Sequence, residues 1–389
     1  MKYDFDKIVD RTGNHAAKYD ERMRVFGTDD VIPLWIADMD FMTAQPIIDA
    51  LKARAGEGIW GYTSRPTSYF EAIRGWQMRR NGWEPDVKLM SYALGVVQSL
   101  SAIVYNFTAP GEAVLFLTPV YPEFYDVVEA WDRPVLESVM REKDGKWYVD
   151  YTDLDEKLKK AKLFIFCSPH NPMGIVWSAE EIKHIGEMCA DHGVLMVSDE
   201  IHSDLVFWGK KYVNAVTVSP KVAANTITCI SGTKTFNLAG LQASAVVFPT
   251  LEMKEKFDGF WRKMDIHRNN AFSVTAMEAA FRYGDEWLDQ LLPYLEGNFL
   301  FIKDYCEKYI PKIKPNVPDA TYLVWLDCRE LGMSREELCD FMIHRAKLGL
   351  NDGGNFCRGL TGYMRLNAAC PRSVLEKAME QLKDAVDSL

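Results

Sequence analysis

The chain has 389 residues, 48% of them hydrophobic and 26% charged, which is the balance of a protein with a large core and excludes intrinsic disorder. At roughly 150 residues per domain, that length suggests two or three domains. Lys and Arg number 45 against 55 Asp and Glu, a net charge of −10 with no basic block, which argues against nucleic acid or anionic membrane as a partner.

The N-terminal MKYDFDKIVDR carries charges where a signal peptide needs an apolar run. No apolar stretch approaches the roughly 18 residues of a membrane helix. The eight cysteines, at 167, 189, 229, 306, 328, 339, 357 and 370, never fall at C-x-x-C spacing, and several interrupt apolar runs. They read as buried free thiols in a reducing compartment, and the expectation is a cytoplasmic protein.

The first 45 residues are irregular and rich in Trp, Asp and Met. A helix is predicted from about 96 to 107, after Gly95. Short apolar runs then alternate with helical stretches such as 178–191: AVLFL at 113–117, LFIFC at 163–167, VLMVS at 194–198, ITCIS ending at Ser231 and ASAVVF at 243–248. Continuous apolar runs of this length predict a mostly parallel sheet covered on both faces. Helical patterns follow at about 251–264, 273–283 and 285–309, and Pro311, Pro315 and Pro318 break the chain. Beyond them come a strand at 321–327, a helix near 334–347, a strand near 363–367 and a last helix from about 372. The expected architecture is α/β, with 1–45 a segment packing on the small domain, 46–285 the large domain and 286–389 a small C-terminal α+β domain.

Three strand ends carry polar residues suited to one chemistry. Lys234 follows ITCIS, between Thr233 and Thr235, where partial burial favours a nucleophilic amine. Taken alone, such a lysine is more often a surface residue. Asp199 ends VLMVS, and ligands of α/β sheets lie outside the carboxyl ends of the strands. An aspartate there can keep a pyridine nitrogen protonated beside a Schiff-base lysine, the protein's recurring contribution to pyridoxal phosphate chemistry. Asn171 in SPHNPMG follows LFIFC and is placed to donate to a ring oxygen. The N–H groups of Val97 and Gln98 open a helix, where an anion is favoured, and the Ser231 hydroxyl stands nearby in sequence. The histidines show no metal-ligand spacing such as H-E-x-x-H, so no metal is expected.

SPHNPMG, VSDEIHSD and SGTKTFNLAGL together resemble the fold-type-I pyridoxal-phosphate enzymes, the aminotransferase superfamily. PLWIADMDF at 33–41, WGYTSRP at 60–66, PVYPEF at 119–124 and YMRLNAACPR at 363–372 look like its cystathionine β-lyase or C–S lyase branch, which includes the maltose-regulon modulator type. The similarity runs from about residue 30 to the C-terminus.

The resemblance implies an aspartate aminotransferase-like fold and pyridoxal 5′-phosphate as cofactor. It implies Lys234 as the Schiff-base lysine and general base, Asp199 on the pyridine nitrogen, Asn171 on the ring hydroxyl oxygen and Tyr121 stacked on the ring. Val97, Gln98 and Ser231 would hold the phosphate. Tyr62 would reach the phosphate of a neighbouring subunit, which implies a homodimer with shared sites. Arg365 would grip the substrate carboxylate, His202 occupies a position where many aminotransferases have tyrosine, and Trp35 and Asp38 would border the substrate entrance.

Two positions depart from the pattern. Gln242 stands where many aminotransferases have a phosphate-binding arginine, a change the lyase branch tolerates, and Cys357 stands where a small residue is expected. The implied reaction is β-elimination of a thiol from L-cystathionine or a related cysteine thioether, giving pyruvate and ammonia. Two other readings are an aminotransferase and, from a different class, a regulatory protein that binds a transcription factor.

Overall fold

The computed structural model describes residues 1–266 and 268–389, and the chain divides into two compact units. One contains Thr43–His170 and Val176–Leu288; the other contains Met1–Met42, Asn171–Ile175 and Asp289–Leu389.

The larger unit is built on seven strands: β1 (Met90–Ala93), β2 (Ala113–Thr118), β3 (Val135–Val139), β4 (Ala161–Cys167), β5 (Leu195–Asp199), β6 (Thr226–Ile230) and β7 (Ser244–Val247). Their order is β1-β7-β6-β5-β4-β2-β3. All neighbours pair in parallel except β7, which runs antiparallel to both β6 and β1.

Every residue of β2 and β6 is buried, as continuous apolar runs require when both faces are covered. Val114, Phe116, Leu163, Ile165, Val197, Ile227 and Val246 form one core with Leu100 and Ile103 of helix α1 (Val96–Phe107). Burying each such side chain contributes about 1.5–3 kcal/mol. Helix α2 (Ala179–Asp191) starts at a capping box, with the Ser178 hydroxyl accepting from the Glu181 N–H and Glu181 returning to the Ser178 N–H.

The smaller unit holds an antiparallel sheet of β8 (Lys314–Pro315), β9 (Leu323–Asp327), β10 (Asn351–Asp352) and β11 (Tyr363–Asn367), in the order β8-β9-β11-β10. The predicted helix near 334–347 is shorter. It runs Arg335–Asp340, then widens to a π-turn over Phe341–Arg345, where the Ala346 N–H donates to the Phe341 carbonyl. The chain straightens again into Leu348–Gly349, which pairs with Ile32–Pro33.

The N-terminal segment of this unit is fixed by a buried charge cluster. Lys18 is fully buried with its Nζ 2.8 Å from Asp40 and 3.6 Å from Asp38, and Arg11 reaches both acids at 2.7 and 2.8 Å. Removing one member of a buried pair costs about 3–5 kcal/mol. Because Arg11 still faces Asp40, Lys18→Ala is expected to fall at the lower end, about 3 kcal/mol, read by urea unfolding. A change below about 1 kcal/mol would show that Lys18 adds little to what Arg11 already supplies.

All eight cysteines are free, and all but Cys339 are buried. Among the described residues no helix is long and apolar enough to cross a membrane.

Candidate active site

In the larger unit the polar residues gather at the carboxyl ends of the parallel strands. Asp199 ends β5 at 4% exposure and accepts from the Ile201 N–H at 3.2 Å. Burial pushes its carboxyl up to about 7, opposed by that N–H and by the nearby charge of Lys234.

Lys234 lies in the turn after β6, partly exposed. The turn is held on both sides of it. Thr235 donates to Asp204 at 2.8 Å, and Asp204 also accepts from the Trp76 indole at 2.9 Å. Thr233 Oγ1 lies 2.8 Å from Ser231 Oγ, whose own proton goes to the Ala243 carbonyl at 2.7 Å. Ser231 is buried at this strand end.

Helix α1 presents the first-turn N–H groups of Val97 and Gln98, which have no carbonyl four residues back to accept them. Gly95 precedes them, and a Cβ built there would sit 2.4 Å from Gln98 Oε1. The absence of a side chain therefore leaves Gln98 undisturbed.

Tyr121 is half-buried in the loop after β2, its ring 6.2 Å from Phe124. That loop is tied down by His170, buried with its Nε2 2.7 Å from the Pro119 carbonyl. Burial lowers the His170 pKa to about 4, so the neutral ring donates from Nε2. His202 is buried three residues beyond Asp199.

Tyr62 is 92% exposed, with the Arg268 guanidinium 5.8 Å from its ring centre and Ile59 and Trp60 exposed beside it. At the departure noted at Gln242, the carbonyl accepts from Tyr92 at 3.0 Å. Arg65, half-buried, lies 5.0 Å from the Tyr92 ring. A cation is thus present near this position although the arginine of the usual pattern is missing.

In the smaller unit Arg365 sits in β11 at 4% exposure. Its Nη1 donates to Asn171 Oδ1 at 3.2 Å, and its Nη2 donates to Asn351 Oδ1 at 2.6 Å and to the Trp35 carbonyl at 2.9 Å. Its Cζ lies 4.8 Å from the Phe356 ring centre. Segment 34–40 is laced along this strand. Asn367 donates to the carbonyls of Ile36 and Asp38, Tyr322 to that of Ala37, and the Asp40 N–H to that of Ala369. Trp35 thus touches Arg365 through its backbone, while the Asp38 carboxylate is engaged by Arg11 and Lys18. Cys357 is buried next to Phe356.

Sequence reasoning did not pick out Asn351, Asp204 or Glu200. Glu200 is buried behind Asp199, accepting from Ser198 at 2.9 Å, from the Ala215 N–H at 3.2 Å and from Asn214. Burial raises its pKa to about 7. Asp204 and Glu200 stood in the quoted VSDEIHSD, but the partners of Asp204 lie 128 and 31 positions away, and those of Glu200 come together only in the folded loop that follows β5.

The model of the class I and II aminotransferases matches residues 29–382. The chain belongs to that family. It is 41% identical over 384 residues to cystathionine β-lyase PatB of Bacillus subtilis, covering 98% of this chain and 99% of that one. It is 32% identical over 388 residues to protein MalY of Escherichia coli, covering 99% of each. The crystal structure of cystalysin from Treponema denticola, which contains a pyridoxal 5′-phosphate cofactor, superposes with a TM-score of 0.96 at 31% identity and full coverage of both chains. The family's fold is the aminotransferase-like α/β fold, with the mostly parallel sheet described above.

Proposed function

We propose that the chain is a pyridoxal 5′-phosphate-dependent carbon–sulfur β-lyase. It cleaves L-cystathionine or related cysteine thioethers to a thiol (homocysteine from cystathionine), pyruvate and ammonia. The observation that carries this reading is the 41% identity, along 98% of the chain, to a protein named cystathionine β-lyase.

The residues present fit the cofactor. A buried strand-end carboxyl whose pKa is raised by burial is stabilised as an anion by a cationic ring nitrogen. The first-turn N–H groups of α1 are donors of the kind a phosphate needs. When bound, the cofactor supplies an electron sink for the pair released at the substrate Cα.

Lys234 would hold the cofactor through its Nζ, and the same Nζ, once free, takes the substrate Cα proton. Asp199 holds the proton on the ring nitrogen, Asn171 is assigned to the ring hydroxyl oxygen and Tyr121 to the ring face. Val97, Gln98 and Ser231 take the phosphate, and His202 supports the cofactor beside Asp199. Arg365 grips the α-carboxylate in the planar two-point geometry that suits guanidinium, with Trp35 and Asp38 on the substrate side. Departure of the thiolate from Cβ leaves a three-carbon fragment that takes up water and ends as pyruvate and ammonia.

By this reading 46–285 serves the cofactor, while 286–389 with 1–45 packed on it serves the substrate carboxylate. The exposed Ile59, Trp60 and Tyr62 support a homodimer in which Tyr62 serves the phosphate held by the second copy. Free, mostly buried cysteines support a cytoplasmic location.

The test is pyruvate release from L-cystathionine by cofactor-loaded protein with no keto acid added. Sustained release is expected. No pyruvate, from cystathionine or from a panel of cysteine conjugates, would replace this reading with transamination.

A further inference from the structure

Between β5 and a 3₁₀ turn at Ala215–Thr217 the chain makes an excursion over residues 201–214, and one side chain holds both of its ends. Glu200, 1% exposed, accepts from the Ser198 hydroxyl at 2.9 Å in the strand. Where the excursion returns, it accepts from the Ala215 N–H at 3.2 Å and from the Asn214 amide. Its own N–H donates to the Cys229 carbonyl of β6 at 2.9 Å, which fixes it to the sheet. Adjacent side chains on a strand point to opposite faces, so Glu200 is directed away from Asp199.

The excursion reaches both strand ends assigned to the cofactor. Its first N–H, at Ile201, goes to Asp199 at 3.2 Å. Further along, Asp204 takes the hydroxyl proton of Thr235, the neighbour of Lys234, at 2.8 Å, and Asp204 is itself fixed by the Trp76 indole. Asp199 and the Lys234 turn are thus bridged by one short stretch of chain.

Three donors converge on the two Glu200 oxygens, which suits a carboxylate, and bonds to the ionised form are about twice as strong as neutral ones. Glutamine keeps the volume but turns one oxygen into a donor. Facing Asn214, its amide nitrogen would meet another amide nitrogen. Asn214 cannot turn round without giving up the Val216 N–H that its Oδ1 accepts at 3.1 Å. Facing the other way, the glutamine nitrogen would leave the Ala215 N–H without its acceptor. Either way a tie to the returning end is lost.

We propose that Glu200 is a positioning residue for the cofactor: by closing the 201–214 excursion it holds Asp199 and the Lys234 turn in a fixed relation, so that both engage one bound molecule. This rests on the assignment of Asp199 and Lys234 to pyridoxal 5′-phosphate.

The test compares the full chain carrying Glu200→Gln with wild type at pH 8, above the value of about 7 to which burial raises this carboxyl. The Kd for pyridoxal 5′-phosphate, from titration of the cofactor-free protein, is expected to rise about tenfold or more, the scale of losing one hydrogen bond to a charged group. The visible circular dichroism of the bound cofactor, which reports how firmly an asymmetric site holds it, is expected to weaken even at saturation. In the saturated protein kcat for L-cystathionine should fall by about tenfold with KM within about threefold, because no substrate contact is removed.

Asn214→Ala cuts the same tie from its other end, and the double variant should bind the cofactor within about threefold of the weaker single one. A glutamine variant that lowers Tm but leaves affinity and dichroism unchanged would overturn the proposal, as would losses that multiply in the double variant. Should E200Q fail to fold, N214A is judged by the same readouts. Lys234→Ala is measured alongside. If it binds pyridoxal 5′-phosphate with the affinity and dichroism of wild type, the cofactor assignment itself is wrong; if it does not, and E200Q matches wild type, only the role of Glu200 is.

Discussion

Replacing Lys234 with alanine is expected to reduce pyruvate release by about 10⁴-fold or more, the loss anticipated when one group supplies both covalent attachment and proton transfer. The fold is expected to survive, because the turn is held by its neighbours. Thr235 is anchored on Asp204, Thr233 on Ser231, and the N–H groups of Phe236 and Leu238 donate to the carbonyls of Gly232 and Thr233 at 2.9 and 2.8 Å. Lys234→Arg sharpens the test. Arginine keeps the positive charge near Asp199 but does not deprotonate, so it should be as inactive as alanine if the role is chemical. If it acts only as a countercharge to Asp199, arginine should restore activity. An alanine variant within tenfold of wild type would remove Lys234 from the chemistry.

The parts of the fold legible in the sequence are those where one physical demand dominates. LFIFC and VLMVS lie between two covered faces, so every position but the buried Ser198 is apolar, and both form strands close to the expected limits. The helix expected at 96–107 is found at Val96–Phe107. Strands β1 and β3 were not anticipated. β1 is only four residues long and contains Ser91, whose hydroxyl is bound to Asp258. β3 lies at the sheet edge, where Glu137 reaches Tyr125 and the apolar pattern breaks.

The same contrast holds in the site. Lys234, Asp199 and Asn171 were visible because each closes a recognisable apolar strand. Asn351 carries no such mark. It belongs to a two-residue strand, and its meaning comes only from a register with Arg365 that sequence spacing does not reveal. Asp204 is tied to Trp76, 128 positions away, and to Thr235, 31 positions away. Gln242 read as a missing positive charge, whereas Arg65 comes into that neighbourhood only through folding.

Asp199→Asn is expected to act in opposite directions on catalysis and on stability. In the loaded enzyme asparagine carries no charge to keep the ring nitrogen protonated, and turnover should fall by about 10³-fold, the scale of losing a dedicated electrostatic partner in a dry site. In the cofactor-free protein the carboxyl is a burden above acidic pH. Its pKa rises from 3.8 unfolded to about 7 folded. Between those values the folded chain binds a proton that the unfolded chain has released, so stability falls as pH rises and the loss is complete above about 7. Asparagine, which still accepts from the Ile201 N–H, escapes that loss. The cofactor-free variant should therefore be more stable than wild type at pH 8, on the order of a few kcal/mol, and equal to it near pH 4. Glu200, raised by burial and further by the Asp199 charge, follows the same pH trend in both proteins, and loss of the neighbouring charge eases its ionisation in the variant. Urea unfolding of both apoproteins from pH 4 to 8 measures the difference. A variant less stable than wild type at pH 8 would mean that Asp199 already has its counter-ion within the chain. The carboxyl would then not be a site prepared for a cationic ring.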